Sequence, residues 1–403
     1  MVSKGWTRQK VGELFDVQLG KMLNQEAKMQ HPQFPYLTNF NVQWGKFYMD
    51  EMNEMHFTEK QREKFSLKHG DVIMCEGGEV GRCAIWNEQL STCYYQKALH
   101  RLRTKGNILP EYFQYYMESL AGKKLLDDYT TRTSISHLTR EKLVKLPVNL
   151  PPVSEQKKIA KILSVWDQAI STTEKLLDNC QQQKKALVQI LLKSQIRFPE
   201  FEDEWKRYRL KQVCDFKKGY GLSKDLISSN GKYKCILYGQ LYTKYGEVIK
   251  NIVSRTNSEE GTKSVAGDIL IPSSTTTTGI DLANAVALLE DDVLLGGDIN
   301  ILRPNRNLVC SIFIAHLLTH IKKHQIASFA QGVTIIHLYG NDLKHLNIEL
   351  PKLEEQQKIA QVLTAADREI QTLQQKLACL KQEKKALMQQ LLTGKRRVKV
   401  DES

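Results

Sequence analysis

Leu150-Pro151-Pro152-Val153-Ser154-Glu155-Gln156-Lys157-Lys158-Ile159-Ala160 recurs as Leu350-Pro351-Lys352-Leu353-Glu354-Glu355-Gln356-Gln357-Lys358-Ile359-Ala360. The match runs on without insertion. Leu163, Asp167 and Ile170 return as Leu363, Asp367 and Ile370. Lys184-Lys185-Ala186-Leu187 and Leu191-Leu192 return as Lys384-Lys385-Ala386-Leu387 and Leu391-Leu392. The offset is a constant 200 (155 to 355, 187 to 387). The chain therefore reads as two copies of one unit, each closing on this segment.

The segment has the pattern of a long amphipathic helix. Apolar-facing positions alternate four and three apart: Ile159, Leu163, Trp166, Ile170, Thr173, Leu177, Cys180, Lys184, Leu187, Leu191, and Ile359, Leu363, Ala366, Ile370, Leu373, Leu377, Leu380, Lys384, Leu387, Leu391. A seam this long predicts a coiled coil. Pro151-Pro152 and Pro351 mark the starts, because proline cannot occupy a helix interior. Glu155, Glu354 and Glu355 lie near the positive end of the macrodipole, and Gly394 before Lys395-Arg396-Arg397 suits a C-terminal cap. Each helix should be roughly 60 Å long at ~1.5 Å per residue. The expected partner of each is the other, as an antiparallel pair with a pseudo-twofold axis. Ile159, Leu163, Ile170, Ile359, Leu363 and Ile370 are assigned to the seam and to no ligand. Lys184 and Lys384 interrupt it at one level. The favoured reading is that their stems snorkel out of a fraying end; the alternative is that they fix register or hold a partner.

The stretches before the helices match more loosely. Gly5-Trp6 and Glu204-Trp205 each open a half, Gly70-Asp71-Val72-Ile73 resembles Gly267-Asp268-Ile269-Leu270, and Leu102-Arg103 resembles Leu302-Arg303. Ile135-Ser136-His137-Leu138 corresponds to Ile335-Ile336-His337-Leu338. Shared positions are apolar or glycine while the intervening stretches differ, which predicts one mixed α/β (α+β) scaffold carrying two surfaces. Strands are expected at Asp71–Met74, Ala98–Leu102, Gly267–Ile271 and Asn300–Leu302, and helices at Pro110–Leu126 and Leu308–Lys323.

The 403 residues, 41% hydrophobic, suffice for two ordinary cores. Lys and Arg outnumber Asp and Glu by 58 to 45, a net charge of +13, which suits a polyanion, nucleic acid first. Met1 to Lys10 lacks the apolar core of a signal peptide, and no apolar run reaches membrane-span length; the expectation is a cytoplasmic protein. The eight cysteines form no Cys-x-x-Cys pair and are expected as free buried thiols rather than disulfides or a zinc site.

No catalytic constellation emerges. Asn149-Leu150-Pro151-Pro152-Val153 only superficially resembles an amino-methyltransferase motif, since Leu150 breaks it and Val153 replaces the aromatic. Gly77-Gly78-Glu79-Val80-Gly81 reads as a turn, and there is no P-loop. His316, His320 and His324 fall four apart, but without a His-Glu-x-x-His pattern they read as a solvated or DNA-facing helix side and not as a metal site. The loops do carry base-reading side chains: amides suit adenine, arginine suits guanine, and hydroxyls suit either. These lie in Tyr36 to Trp44, in its counterpart Tyr238 to Tyr245, in Ser273 to Gly279, in Thr130 to Ser134 and in Gln331 to Thr334.

Together these features resemble the specificity subunit of Type I restriction–modification systems, over essentially the whole chain. The most specific parts are the two Leu-Pro-x-x-x-Glu-Gln-x-x-Ile-Ala segments, the Lys-Lys-Ala-Leu helix ends, Arg197-Phe198-Pro199-Glu200-Phe201 with Glu204-Trp205, and Leu391-Leu392-Thr393-Gly394-Lys395. The resemblance implies two α/β (α+β) target-recognition domains separated by two long helices forming an antiparallel coiled coil. The domains would span residues 1–152 and 196–351, the helices 153–195 and 352–395, with a basic then polar tail at 396–403. It implies a non-catalytic subunit with no cofactor or metal of its own. Each recognition domain would read one half of a split double-stranded DNA target, asymmetric here because the loops differ, while the helices set the spacing. Two methyltransferase subunits would bring S-adenosylmethionine to adenine N6, and two motor–nuclease subunits would use ATP and Mg²⁺. Within that pattern the DNA-contacting residues are expected to be Asn39, Asn41, Gln43, Arg132, Thr133, Gln240, Ser273, Ser274, Thr275 and Gln331. The competing class is a coiled-coil adaptor without sequence specificity.

Overall fold

The computed structural model describes residues 3–400 except 122, 124–125, 127 and 131–135. The chain divides into two compact units, Met1–Glu174 with Gln375–Ser403, and Lys175–Gln374. Each unit takes the start of one long helix and the end of the other.

In the first unit the central sheet has four antiparallel strands in the order Phe15–Leu19, Leu99–Thr104, Val72–Cys75, Cys83–Ile85. Val72–Cys75 is buried on both faces, so it reads as a continuous apolar run. Val72 and Met74 enter one core with Phe113, Ile159, Leu163 and Leu391, while Ile73 and Cys75 enter a second with Phe57, Trp86 and Tyr95. The second core is roofed by Asn53–His56, Gln33–Leu37 and Tyr94–Tyr95. A two-stranded ribbon, Thr7–Lys10 against Pro147–Leu150, leads into the helix.

The second unit repeats this plan. Its central order is Cys214–Lys218, Ile299–Pro304, Asp268–Pro272, Val286–Leu288, Val248–Ile249, the last pair parallel. Ile269 and Ile271 face one core and Leu270 another. The ribbon is Lys206–Arg209 against Asn347–Leu350. Each sheet encloses the same ion pair. Arg103 Nε and Nη2 donate to Asp71 at 2.7 Å each, and Arg303 does so to Asp268 at 2.8 Å each, with both carboxylates buried.

The long helices span Val153–Leu192 and Leu353–Leu391. Within each unit their segments run antiparallel: Asp167 meets Lys384 and Glu174 meets Lys381 in the first, Lys184 meets Asp367 and Arg197 meets Glu355 in the second. Every seam position named above is buried or half-buried, and the positions between are mostly exposed. Gly394, at φ +71°, turns the chain out of the second helix.

The Glu-Gln motif acts as a clamp. Gln156 is fully buried; its Oε1 accepts from Leu109 N (2.8 Å) and its Nε2 donates to Asn107 O (3.1 Å) and Pro151 O (2.9 Å). Gln356 repeats this with Cys310 N (3.0 Å), Leu308 O (3.0 Å) and Pro351 O (2.9 Å). Each glutamine thus ties the start of a long helix to the start of Pro110–Leu120 or Ser311–His316, using groups a helix end leaves unpaired. The neighbouring glutamates take an arginine that follows the opposite helix: Glu155 takes Arg397, and Glu355 takes Arg197 in a bidentate pair at 3.0 and 2.7 Å.

Three expectations are corrected. Lys184 and Lys384 do not snorkel from a frayed end. Lys184 Nζ bridges Asp367 (2.7 Å) and Glu247 (3.2 Å), and Lys384 Nζ bridges Asp167 (2.7 Å) and Glu118 (2.8 Å). The helix expected over Leu308–Lys323 is Ser311–His316 running into a π turn, Leu317–Ile321. Of the free thiols, Cys75, Cys83, Cys93, Cys214 and Cys235 are buried, but Cys379 is exposed and Cys180 and Cys310 are only half-buried.

Candidate nucleic-acid interface

In each unit loops of different origin meet at one end of the central sheet. In the second unit this is the end where Lys218 pairs with Asn300 and Pro272 with Ile299. Strand Ser274–Thr275 pairs there with Ile336–His337, and Gln331 bridges back to His337. The loop from Gln331 to Ile335 is exposed throughout, Val333 almost completely. Asp298 joins this group to a neighbouring cleft, since its carbonyl accepts from Ser273 N (2.8 Å) and the residue borders the cavity.

That cleft has a volume of about 900 Å³ and is bordered by Lys224, Tyr238, Gln240, Tyr242, Lys244 and Asp298 among others. Lys224 and Lys244 are exposed, as is Tyr220 beside them. Cations with aromatic faces are the equipment for phosphate contact and base stacking.

In the first unit the matching end carries Gly20 to Met22, Glu76 to Gly81, Gln96 to Ala98 and Ser136 to Leu138. Leu138 N donates to Glu76 O as Leu338 N does to Ser273 O. His100 Nε2 meets Leu138 O at 2.8 Å where Asn300 Nδ2 meets Leu338 O at 2.9 Å. Beside it, the short hairpin Val42–Gln43 with Lys46–Phe47 presents Phe40 and Tyr48, both exposed and packed edge to face at 5.2 Å.

The expected contact residues separate into groups. Asn41 is buried; its Oδ1 accepts from Thr38 N and Oγ1 (both 2.8 Å), and its Nδ2 donates to Tyr48 O and Glu51 O. Gln240, half-buried, holds the equivalent place: its Oε1 accepts from Leu237 N (3.0 Å) and its Nε2 donates to Ser254 Oγ (2.5 Å). Ser273, Ser274 and Thr275 are buried at the sheet end. Asn41 and Gln240 thus bond within their own loops, and the other three are buried. Asn39 is half-buried and donates to Gly77 O (3.2 Å). Gln43 donates to Phe40 O (2.9 Å) on the hairpin. Gln331 is exposed. Arg132 and Thr133 lie outside the described residues.

Sequence reasoning passed over Tyr220, Lys224 and Tyr48, and took in Phe40 only as part of the stretch Tyr36 to Trp44. The signal for two of them was present, in the basic and aromatic run Lys217-Lys218-Gly219-Tyr220 and in Lys224 after a strand. Of the hydroxyl run, the exposed members are Thr276, Thr277 and Thr278. Thr277 and Thr278 both donate to Asp281 Oδ2 at 2.7 Å, and these bonds hold the Asp281 carboxyl below its ordinary range.

The family model for the Type I restriction modification DNA specificity domain matches residues 3–181 and again 202–382. The chain belongs to this family. The specificity subunit is the DNA-recognition, non-catalytic part of such a system, and membership sets aside the adaptor alternative. The chain is 23% identical over 421 aligned positions to the MjaVIII specificity subunit of Methanocaldococcus jannaschii, covering 99% of this chain and 94% of that one. It is 28% identical over 353 positions to the MjaX specificity subunit of the same organism, covering 83% and 80%. Among solved structures, the S subunit of a Type I restriction–modification system from M. genitalium shares the fold, with a TM-score of 0.62, 17% identity and 96% coverage of both chains. The repeated match is the counterpart of the repeated clamp, ion pair and ribbon. Among the described residues no helix is long and apolar enough to cross a membrane.

Proposed function

We propose that the two units of this specificity subunit each read one half of an asymmetric, bipartite double-stranded DNA target, through the loops at the sheet ends and the cleft beside them. The observation that carries this reading is a shared scaffold with unlike equivalent loops. The backbone amide of residue 38 or 237 is capped by the side chain of Asn41 or Gln240 in the two units. Around those caps stand Asn39, Phe40 and Lys46 in one and Tyr238, Tyr242 and Lys244 in the other. A common frame with different side chains suits two different half-sites. Basic side chains supply salt-dependent phosphate affinity, and the loops supply the choice of bases.

The paired helices serve as spacer and as the docking surface for two methyltransferase subunits, which carry S-adenosylmethionine and modify adenine N6. Two motor–nuclease subunits with ATP and Mg²⁺ complete the restriction complex, which acts in the cytoplasm. The chain itself needs no cofactor for DNA reading.

The test is to map N6-methyladenine in DNA from cells with and without this chain. The expected result is a split, non-palindromic motif that disappears on deletion. A palindromic motif, or no motif lost, refutes the reading. Gel shifts of the assembled complex should show specific binding that weakens steeply with salt.

A further inference from the structure

The second unit contains a group of ionisable side chains that DNA reading does not use. The helix Ser311–His316 passes directly into the π turn Leu317–Ile321. Such turns are rare and recur at functional sites. Here the turn brings the rings of His316 and His320 into a stack, with centroids 5.9 Å apart and planes 18° apart. Glu247, just before the strand Val248–Ile249, lies opposite. One ligand atom from each of Glu247, His316 and His320 falls within 4.8 Å of the other two.

His316 is fully buried, yet neither of its ring nitrogens has a hydrogen-bond partner. Its nearest acid, Asp367 on the long helix, is 3.9 Å from Nε2. Buried polar atoms are rarely left in this state, and each case calls for a reason. Among the described residues the first unit shows no such deficit at its matching level. There Tyr115 donates to Asp167 at 2.7 Å, with Lys384 Nζ over its ring at 5.3 Å. An open cleft of about 420 Å³, bordered by Gly246, Glu247, Lys250, Asp367 and Gln371, connects the group to solvent.

We propose that Glu247, His316 and His320 bind a divalent transition-metal cation of the zinc class, with the Asp367 carboxylate as fourth ligand. Two imidazoles with carboxylates form a borderline donor set that suits zinc, whereas Mg²⁺ and Ca²⁺ prefer all-oxygen shells. His320 Nε2 and Glu247 Oε1 face each other in a hydrogen bond. Metal binding would replace that bond, release its proton to solvent and open the pair to the ~3.3 Å between ligands of a tetrahedral site with bonds near 2.0 Å. Lys184, bonded to the other oxygen of Glu247 and to Asp367, then orients both carboxylates from outside. The cation would fasten the Glu247 loop, the π turn and the long helix together within this unit.

The test uses the full chain, stripped with a chelator and titrated with Co²⁺ or Zn²⁺. The expected result is one equivalent of Co²⁺ with the visible bands of a four-coordinate nitrogen–oxygen site, and a melting temperature raised by Zn²⁺. His320→Ala and Glu247→Ala, at partly exposed positions, should each weaken binding by more than the roughly tenfold to hundredfold of an outer-shell change. His324→Ala, one turn on and exposed, should leave it intact. X-ray absorption at the zinc edge of the unaltered chain should show two imidazoles. A shell of oxygen or sulfur alone, the absence of saturable Co²⁺ bands, or binding that survives both ligand substitutions overturns the proposal.

Discussion

Gln356→Met removes the clamp at the start of the second long helix while nearly preserving volume. The wild-type side chain is inaccessible to solvent and makes three hydrogen bonds, to Cys310 N, Leu308 O and Pro351 O. At about 1 kcal/mol net per bond the loss should be about 3 kcal/mol. The Cys310 amide begins the helix Ser311–His316, so its loss falls on a donor that no other group in the helix can take. Gln356→Ala should cost about 1 kcal/mol more, because it also leaves a cavity. Gln356→Glu keeps the acceptor for Cys310 N but turns a carboxylate toward two carbonyl oxygens. Its ionised form is disfavoured in the fold, so the folded-state pKa rises, and the variant should lose stability as pH climbs above ~4.3. A two-unit chain need not unfold in one step, so the readout should be local. Hydrogen exchange of peptides covering 308–316 and 351–360 should accelerate by about two orders of magnitude for 3 kcal/mol, with peptides of the first unit unchanged. A change below about 1 kcal/mol, or one spread equally over both units, would refute the view that this glutamine fastens helix to lobe.

Replacing the seam lysines should reveal the difference in burial between their partners. Lys184→Met strands Glu247 and Asp367, 14% and 24% exposed, and should cost about 3 kcal/mol; Lys384→Met strands Glu118 and Asp167, 29% and 43% exposed, and should cost about 2 kcal/mol. Chemical denaturation that ranks them the other way would count against this. The Asp281 carboxyl is held below its ordinary range by Thr277 and Thr278, so its stabilisation of the threonine turn is complete above the unfolded value near 3.9 and is lost as pH falls through the lower folded value. The protection factor of the Thr278 amide, corrected for the intrinsic pH dependence of exchange, should therefore fall at acid pH in the wild type and be pH-independent in Asp281→Asn. At the interface, Lys224→Ala should weaken DNA binding uniformly across sequences and reduce the salt slope by about 1, whereas Asn41→Ala should lower the melting temperature without changing which bases are preferred. A changed methylation motif in Asn41→Ala would return that residue to the bases.

The skeleton was legible because the chain prints it twice. Seam positions and the strands around Val72 and Ile269 follow from apolar spacing, the helix starts from the prolines before them, and all are where the pattern puts them. The partners of the shared polar residues were not legible. Glu355 and Gln356 stand out by repetition, and Arg197 by its counterpart Arg397, but nothing in the sequence pairs Glu355 with Arg197 or Gln356 with Cys310. Asn41 and Gln240 show that loop composition alone does not decide a role. An amide four residues after a strand can face a base or its own loop's first backbone amide, and the residue type is the same in both cases. The π turn after His316 was equally hidden, since one extra residue in a turn leaves the apolar spacing nearly unchanged; His316, expected on a wet face, is buried where that turn begins.

The same repetition explains why a charge sits in an otherwise apolar seam. A strict seven-residue repeat is satisfied almost as well by a helix displaced through one heptad as by the correct register. In the second unit such a slip would carry Lys184 from Asp367 to the level of Ala360 or Gln374, leaving a buried ammonium with no acid and two carboxylates with no cation. That penalty is several kcal/mol, whereas the apolar packing given up by a slip of one heptad is largely regained in the new register. The lysine therefore contributes less to the depth of the correct state than to the height of the wrong ones. Because Lys384 and Asp167 impose the same condition within the first unit, register is specified twice by one motif, and the loops that differ between the units are free to change without disturbing it. Exchanging Lys184 and Asp367 for a well-packed Met and Leu should then leave the second unit folded and similarly stable while permitting shifted pairing. Cysteine cross-linking between positions 187 and 364 and between 187 and 371 should detect that as two products where the unaltered seam gives one.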